Sequence, residues 1–341
     1  MNLKNNENPS VSIVTPVFNG AKWIDKCIQS VLNQDYPNIE HIIVDGGSTD
    51  GTLNICSRYP HLIIHSKKDR GQSHAINKGF ALAQGDILGW LCADDEYYPG
   101  AVQAAVKGVI EGYDVLMGCS RFIDARGIVI GDHPANKHDH YDHAMLLRFW
   151  KYTPISQPAT FWTRKMWDTC GPAKENLFFA MDYDLWLRMS QKTTFQRIST
   201  YMAKYRIHPE AKCFADNYGS RVELINVSKQ YWPSFWNPVC LLLNLQYWLT
   251  SSPITKHYTE GERMITKALH SLDSGRPWRA LLYYLQAQIR HPAALLLPDY
   301  RFGLKRILQS LVGAAWYGKL KALRNLCRGA RKKMGKLLLN E

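Results

Sequence analysis

From Val11 to Val17 the chain reads VSIVTPV, a β-branched apolar run with Pro16 and Gly20 at its end, and directly afterwards the apolar period changes. Trp23, Ile24, Cys27, Ile28, Val31 and Leu32 recur at helical spacing, and a second apolar run, Ile39 to Val44, ends on Asp45. Two strands joined by one helix read as a right-handed βαβ unit. The alternation continues, with a helix expected from Asp50 to Tyr59, a strand from Leu62 to His65, a helix from Ser73 to Ala83 and a strand from Asp86 to Leu91. This order predicts an α/β sheet, largely parallel. Residues 114–131, with FIDARGIVIG supplying turn residues, read as a strand and hairpin that make the sheet mixed, and a strand or turn is expected around Thr160 to Trp162.

In such sheets ligands bind beyond the carboxyl ends of the strands. The residues there are polar: Thr15, Phe18 and Asn19 after the first strand, Asp45 to Asp50 after the second, Asp94 and Asp95 after DILGWL. No GxGxxG follows the first strand and no GxxxxGK[ST] occurs, so neither a dinucleotide fingerprint nor a P-loop is supported. Adjacent carboxylates such as Asp94 and Asp95 are hard oxygen ligands suited to Mg²⁺ or Mn²⁺, which in turn neutralises a diphosphate. Acidic residues ahead of a helix, here before Pro99, also serve as N-caps, and the residues alone leave both readings open.

Charge narrows the partners. Of the net +13, the segment 301–341 holds eleven basic residues against Glu341 alone, which leaves +3 for the first 300 residues. A domain that binds nucleic acid spreads its basic residues over itself, so no nucleic-acid partner is expected and the tail has its own anionic partner. Leu304, Ile307, Leu308, Leu311, Val312, Ala315, Trp316, Leu320 and Leu323 follow helical spacing there. Such a helix suits an anionic membrane surface, or packs on the protein with a solvated basic face. Beyond about residue 232 the composition shifts to Leu, Trp, Tyr and Arg in helical periods, giving an expected catalytic domain over 1–230 and a mostly α-helical C-terminal region over 231–341. A helical hairpin from Glu262 to His291 faintly resembles a tetratricopeptide unit, but one copy is no array.

The eight cysteines form no CxxC pair, which suits a reducing cytosol. The start, MNLKNNENPS, lacks the apolar core of a signal peptide, and Asn226 in NVS is accordingly not expected to be glycosylated. The run from Pro238 to Leu249 contains Asn244 and Gln246 and is too short to span a bilayer. A cytoplasmic protein, peripheral at the inner face of the cell membrane, is expected.

Five segments in order, SIVTPVFNG, SVLNQDYPNIEHIIVDGGSTDGT, DRGQSHAINKGFALAQGDILGWLCADDEY, QPATFW and FFAMDYDLWLRM, resemble family 2 glycosyltransferases of the GT-A fold from about Val11 to His208. The resemblance implies that Thr15, Pro16 and Asn19 lie along the nucleotide and that Asp45 receives its base, usually uracil. It implies Asp94 as the ribose or diphosphate contact and Asp95 as the principal metal ligand, with His208 near the metal or diphosphate. Gly71, Asn77, Lys78 and Gly79 match a segment that approaches the diphosphate and donor sugar, although Gly79 equally suits close packing of helix on sheet. One departure is Cys92, where many relatives carry Asp or Asn; a thiol is a poor hard ligand, so coordination is expected to rest on Asp95, diphosphate oxygens and water.

Asp182 and Asp184 open the helix MDYDLWLRM. By resemblance Asp182 is the acceptor-side acid, and a positioned carboxylate that takes the proton of a sugar hydroxyl makes it a competent nucleophile. Favouring the helix dipole is the other task open to these acids; it suits Asp184 at least as well, whose neighbours Leu185 and Trp186 point to packing. HDHYDH at 138–143 has metal-like spacing, and a solvated loop or acceptor contact accounts for it too. The expected function is inverting, metal-dependent transfer of a sugar from a UDP-hexose or UDP-N-acetylhexosamine to a hydroxyl of a lipid-linked glycan in surface polysaccharide synthesis. A nucleotidyltransferase, which leaves the DYD segment without a task, and a non-catalytic membrane scaffold retaining the fold are the alternatives.

Overall fold

Strand β1 (Val11–Val17) is buried along its whole length because it has parallel neighbours on both sides, β2 (Ile39–Asp45) and β4 (Ile87–Trp90). A strand covered on both faces reads as a continuous apolar run rather than as an alternation. Outside β2 lies β3 (Leu62–Ser66), whose exposed Ile63 and Ile64 mark an edge. The crossovers are α1 (Ile24–Leu32), α2 (Thr52–Cys56) and α3 (Gln72–Leu82). The computed structural model describes residues 8–149, 155–208, 210–212, 217–232, 267–268, 271 and 276–290.

After β4 come β5 (Glu96–Tyr97), α4 (Ala101–Ile110), β6 (Val115–Ile123), β7 (Val129–Asp132), β8 (His140–Tyr141), α5 (His143–Leu146), β9 (Thr160–Thr163), α6 (Arg164–Cys170), α7 (Met181–Ser190), β10 (Phe195–Arg206) and α8 (Asn217–Gln230). The sheet order is β3-β2-β1-β4-β9-β6-β10-β5, with β7 on β6 and β8 on β10. The sheet is parallel through β4 and becomes mixed where β9 runs antiparallel to both β4 and β6; β7 also pairs antiparallel with β6, as the hairpin signal implied. β10 returns parallel to β6, so its end reaches the same edge as the ends of β1, β2 and β4.

Side-chain alternation along the strands builds a core on each face of the sheet. Val14, Val44 and Leu88 face Ile76 and Phe80 of α3, together with Trp162 and Trp186. Ile13, Ile43 and Phe161 face Ile24 and Ile28 of α1 and Val102 and Val106 of α4. A Cβ on Gly79 would stand 2.3 Å from Val14 Cγ1, so this glycine lets α3 lie directly on the sheet.

The chain divides into two compact units, Met1–Trp232 and Pro233–Glu341. In the second, α9 (Pro277–Arg290) is the one long helix among the described residues. The basic stripe of 301–341 and the run from Pro238 to Leu249 lie outside them. No described helix is long and apolar enough to cross a membrane.

The sequence reading did not anticipate β10. Its pairing with β6 slips between Arg197 and Tyr201 and again between Tyr201 and Ala203, which breaks the alternation that marks a strand. The HDHYDH segment takes up structural positions: Asp142 caps α5 by accepting from Met145 N at 2.6 Å, Asp139 pairs with Arg197 at 2.5 Å, and His143 Nδ1 lies 2.8 Å from Ser190 Oγ.

Candidate active site

Register places Val17, Asp45 and Ser66 in one row at the carboxyl edge of the sheet. The Asp45 carboxylate accepts from Gly47 N at 3.1 Å, Ser48 N at 3.1 Å and Ser66 Oγ at 2.7 Å, so it shapes the loop that follows it. That loop is stitched to the one after β1. Asn19 N donates to Ser48 Oγ (2.7 Å), Thr49 N to Asn19 Oδ1 (2.9 Å), and Ala21 N to Asp50 Oδ2 (2.9 Å). Asn19 holds φ at 51°, a left-handed conformation that Asn tolerates better than most side chains. Phe18 beside it is 66% exposed. Thr15 and Pro16 are buried within β1, and the Thr15 hydroxyl is turned into the core, 2.9 Å from His41 Nε2, which leaves only backbone to face a ligand there.

Beyond β4, Cys92, Asp94 and Asp95 converge, with one ligand-type atom from each lying within 4.8 Å of the others. They are the only such group of His, Cys, Asp or Glu among the described residues. Arg206, at the end of β10, builds the site from behind: its backbone N donates to Asp95 Oδ1 (2.8 Å), Nε to Asp94 O (2.8 Å), Nη1 to Asp124 O (3.0 Å), and Nη2 to Glu96. The guanidinium is 1% exposed and lies over the Trp23 ring at 4.7 Å. Five N–H groups in a rigid fork suit a residue that must brace several acceptors at once.

Burial, reinforced by neighbouring Asp94, pushes the Asp95 carboxyl well above its ordinary range. Burial also pushes Glu96 up, but Lys204 and Arg206 outweigh it and hold Glu96 below. His208 Nε2 lies 3.0 Å from Asp94 Oδ2 and its Nδ1 lies 2.9 Å from Glu210 Oε2. With both ring nitrogens engaged, His208 is brought to the site as the partner of Asp94 and stands outside the converging group. The hydrogen bond to Asp94 raises its imidazole against the effect of burial.

Asp95 spends Oδ1 on Arg206 N and Asp94 spends Oδ2 on His208, so these bonds leave the second oxygen of each carboxylate for a cation. Two hard oxygens fit a divalent cation such as Mg²⁺ or Mn²⁺, and the adjacent thiol of Cys92 adds a softer donor.

α3 contributes differently. Gly71 caps it with φ at 123° and donates N–H to Asp69 Oδ1 at 2.8 Å. Asn77 is clamped to one backbone position, Nδ2 to Ala173 O at 2.9 Å and Oδ1 from Ala173 N at 2.8 Å, so its amide braces the loop after α6. Lys78 Nζ reaches the carbonyls of Lys67 and Lys68 at 3.5 and 3.4 Å.

α7 separates the two acids that open it. Asp184 is fully buried, with Lys174 Nζ at 2.7 Å, Arg188 at 2.9 Å and the Tyr231 hydroxyl at 2.8 Å. Asp182 is partly exposed, and its Oδ1 accepts from Tyr183 N at 2.7 Å. Enclosure of the carboxyl group pushes it up to about 6 despite nearby Lys212, which acts to lower it. Glu223 of α8 accepts from the N–H groups of Phe178 (2.8 Å), Phe179 (2.5 Å) and Ala180 (2.7 Å) just ahead of Asp182. Arg206 and Glu223 were both missed by sequence reasoning. For Glu223 a signal existed: Ala180 at the N-cap offers no side-chain acceptor, so the open amides there need one from another segment.

A sheet of this order with an acidic group past its fourth strand is the GT-A arrangement of glycosyltransferases. Residues 12–170 match the model for Glycosyl transferase family 2. It is 29% identical over 213 residues to chondroitin synthase from Escherichia coli, covering 59% of this chain and 29% of that protein. The chain spans less than two thirds of the length of the first curated relatives it matches. The fold is shared with S. aureus TarS 1–349 in complex with UDP (TM-score 0.55, 17% identity, 88% of both chains). It is also shared with the mannosyltransferase PcManGT from Pyrobaculum calidifontis in complex with GDP-Man and Mn²⁺ (TM-score 0.53, 17% identity, 91% of this chain and 88% of that one).

Proposed function

We propose that this chain transfers a sugar from a nucleoside-diphosphate donor to a hydroxyl of a glycan acceptor, with inversion at the anomeric carbon. One observation carries the reading: two carboxylate centres of opposite design are connected through two side chains, Gln72 and Lys212. Gln72 Nε2 lies 3.5 Å from Cys92 Sγ in the acidic group, and its Oε1 accepts from Lys212 Nζ at 3.1 Å, whose charge bears on Asp182. On the donor side, Asp45 and the loop it shapes receive the base, with Phe18 as a flat neighbour. Asp94, Gly71 and Lys78 line the path of the ribose and diphosphate. Asp94 and Asp95 would hold a divalent cation, which when bound supplies positive charge against the diphosphate.

On the acceptor side, Asp182 takes the hydroxyl proton as the acceptor oxygen bonds to the anomeric carbon. The bond from that carbon to the diphosphate oxygen breaks in the same displacement, and the nucleoside diphosphate leaves with its electron pair. UDP is the favoured nucleotide because TarS is a structural relative that carries UDP, with Asp45 acting through the backbone of the loop it holds. A lipid-linked acceptor of surface polysaccharide synthesis accords with the relation to chondroitin synthase and with the basic segment 301–341.

The deciding experiment is calorimetric titration with UDP. Binding is expected to require Mg²⁺ or Mn²⁺, and Asp95→Ala is expected to lose the metal-supported part with its circular dichroism unchanged. Equal UDP affinity with and without divalent metal in the parent protein would sink the metal assignment.

For the membrane, Gln in place of Arg331, Lys332, Lys333 and Lys336 is expected to weaken sedimentation with anionic liposomes, by about 1 kcal/mol for each charge near the surface. Unchanged sedimentation would assign the segment another partner.

A further inference from the structure

Just ahead of Asp182 lies an arrangement that the donor chemistry leaves unused. Phe178 is 61% exposed, yet the backbone beneath it is held by three hydrogen bonds to the single carboxylate of Glu223. Bonds of this kind to an ionised acceptor are short and strong, so the ring is presented from a fixed base. Lys212 Nζ stands 4.0 Å from the Phe178 centroid, over one face, and the Phe179 ring lies at 4.7 Å and 88° to it. With those neighbours in place most of Phe178 still meets solvent.

We propose that Phe178 is the platform on which the acceptor sugar stacks, with Glu223 as the residue that positions it. This rests on reading Asp182 as the acceptor base. A base must lie within hydrogen-bond reach of the hydroxyl it deprotonates, so the sugar ring that carries this hydroxyl lies beside the loop 178–180, four residues or fewer from Asp182. Hexopyranoses of the glucose type carry axial C–H groups on both faces, and in the β anomer the hydrogens of C1, C3 and C5 share one of them. Those weakly positive hydrogens are drawn to the negative face of an aromatic ring, and burying them removes apolar surface from water. Lys212 covers one face of Phe178 and bridges to Gln72 on the donor side, so the sugar takes the other face and turns its hydroxyl edge to Asp182. A rigid apolar face with a few convergent polar groups is how small-ligand sites fix orientation. The ligand class assigned is a β-linked gluco- or galacto-configured pyranose.

The test is saturation-transfer NMR on the full chain with UDP and Mg²⁺, using methyl β-D-glucopyranoside, methyl N-acetyl-β-D-glucosaminide and methyl β-D-galactopyranoside as probes. Saturation is expected on the axial hydrogens of one sugar face. Phe178→Ala is expected to weaken probe binding about tenfold, with Phe178→Trp restoring it. Glu223→Gln should weaken probe binding less than Phe178→Ala, with UDP affinity within about twofold of the parent in every variant. Equal saturation in the parent and Phe178→Ala overturns the proposal, as does its absence for every probe in the parent, or a loss of UDP affinity that matches the loss of sugar. A parent protein that does not bind UDP overturns the donor reading, and this inference with it.

Discussion

Asp182→Asn is expected to lower sugar transfer by about 10²–10⁴-fold, the usual worth of a positioned general base, while UDP binding stays intact. The amide keeps the shape and one acceptor oxygen but cannot take the hydroxyl proton. Two further signatures separate this role from a structural one. The first is pH: with the parent carboxyl pushed up to about 6, transfer should rise through that pH as the carboxylate forms, and the residual activity of the variant should lack that limb.

The second is stability. A carboxyl whose folded value stands above its ordinary value of 3.8 contributes stability that is complete at lower pH and is lost as pH rises through about 6. At neutral pH the parent therefore holds a charge it would fold better without. Asp182→Asn should unfold at the same temperature as the parent or a higher one, as expected when an active site trades stability for chemistry. Transfer near the parental rate would move the base elsewhere, and loss of UDP binding would make Asp182 part of the donor site.

Asp184→Ala is expected to do the reverse. Its carboxylate is fully buried between Lys174, Arg188 and the Tyr231 hydroxyl, so removing it leaves two cations and a phenol without their common acceptor. Lys174 and Arg188 are partly exposed, so the loss is that of hydrogen bonds to a charged acceptor, about 1.5–3 kcal/mol, a sizeable share of the stability of an ordinary domain. Urea unfolding should show the loss as a lower midpoint. Below its own unfolding transition the variant should retain a kcat near that of the parent, because Asp184 faces the interior. A change in unfolding free energy under about 1 kcal/mol would overturn this assignment.

The contrast between these neighbours shows where local pattern stops being informative. Both acids stand in the first turn of one helix, and the residue types alone give each a claim on the helix dipole. Their separation follows from what other segments bring: Lys174 from the loop after α6 and Tyr231 from the end of α8 for Asp184, Glu223 from α8 for the approach to Asp182. Asn77 makes the same point. Its place in α3 could be read from apolar periodicity, but its engagement with Ala173, 96 residues away, could not.

The sequence by itself determined the βαβ order, the two-faced burial of β1 and the positions of Asp45, Asp94 and Asp95 past strand ends. Each is a consequence of local period: burial on both faces demands an unbroken apolar strand, and a strand that stops on polar residues marks the edge where ligands bind. Tertiary structure alone decided which polar groups meet. Arg206 reaches Asp95 across 111 residues because β10 runs parallel to β6 after two slips in register, and those slips erase the alternation that would have announced the strand. A side chain's burial is encoded by its own neighbours in the chain; the partner of its charge is set by whichever distant segment the sheet order places beside it.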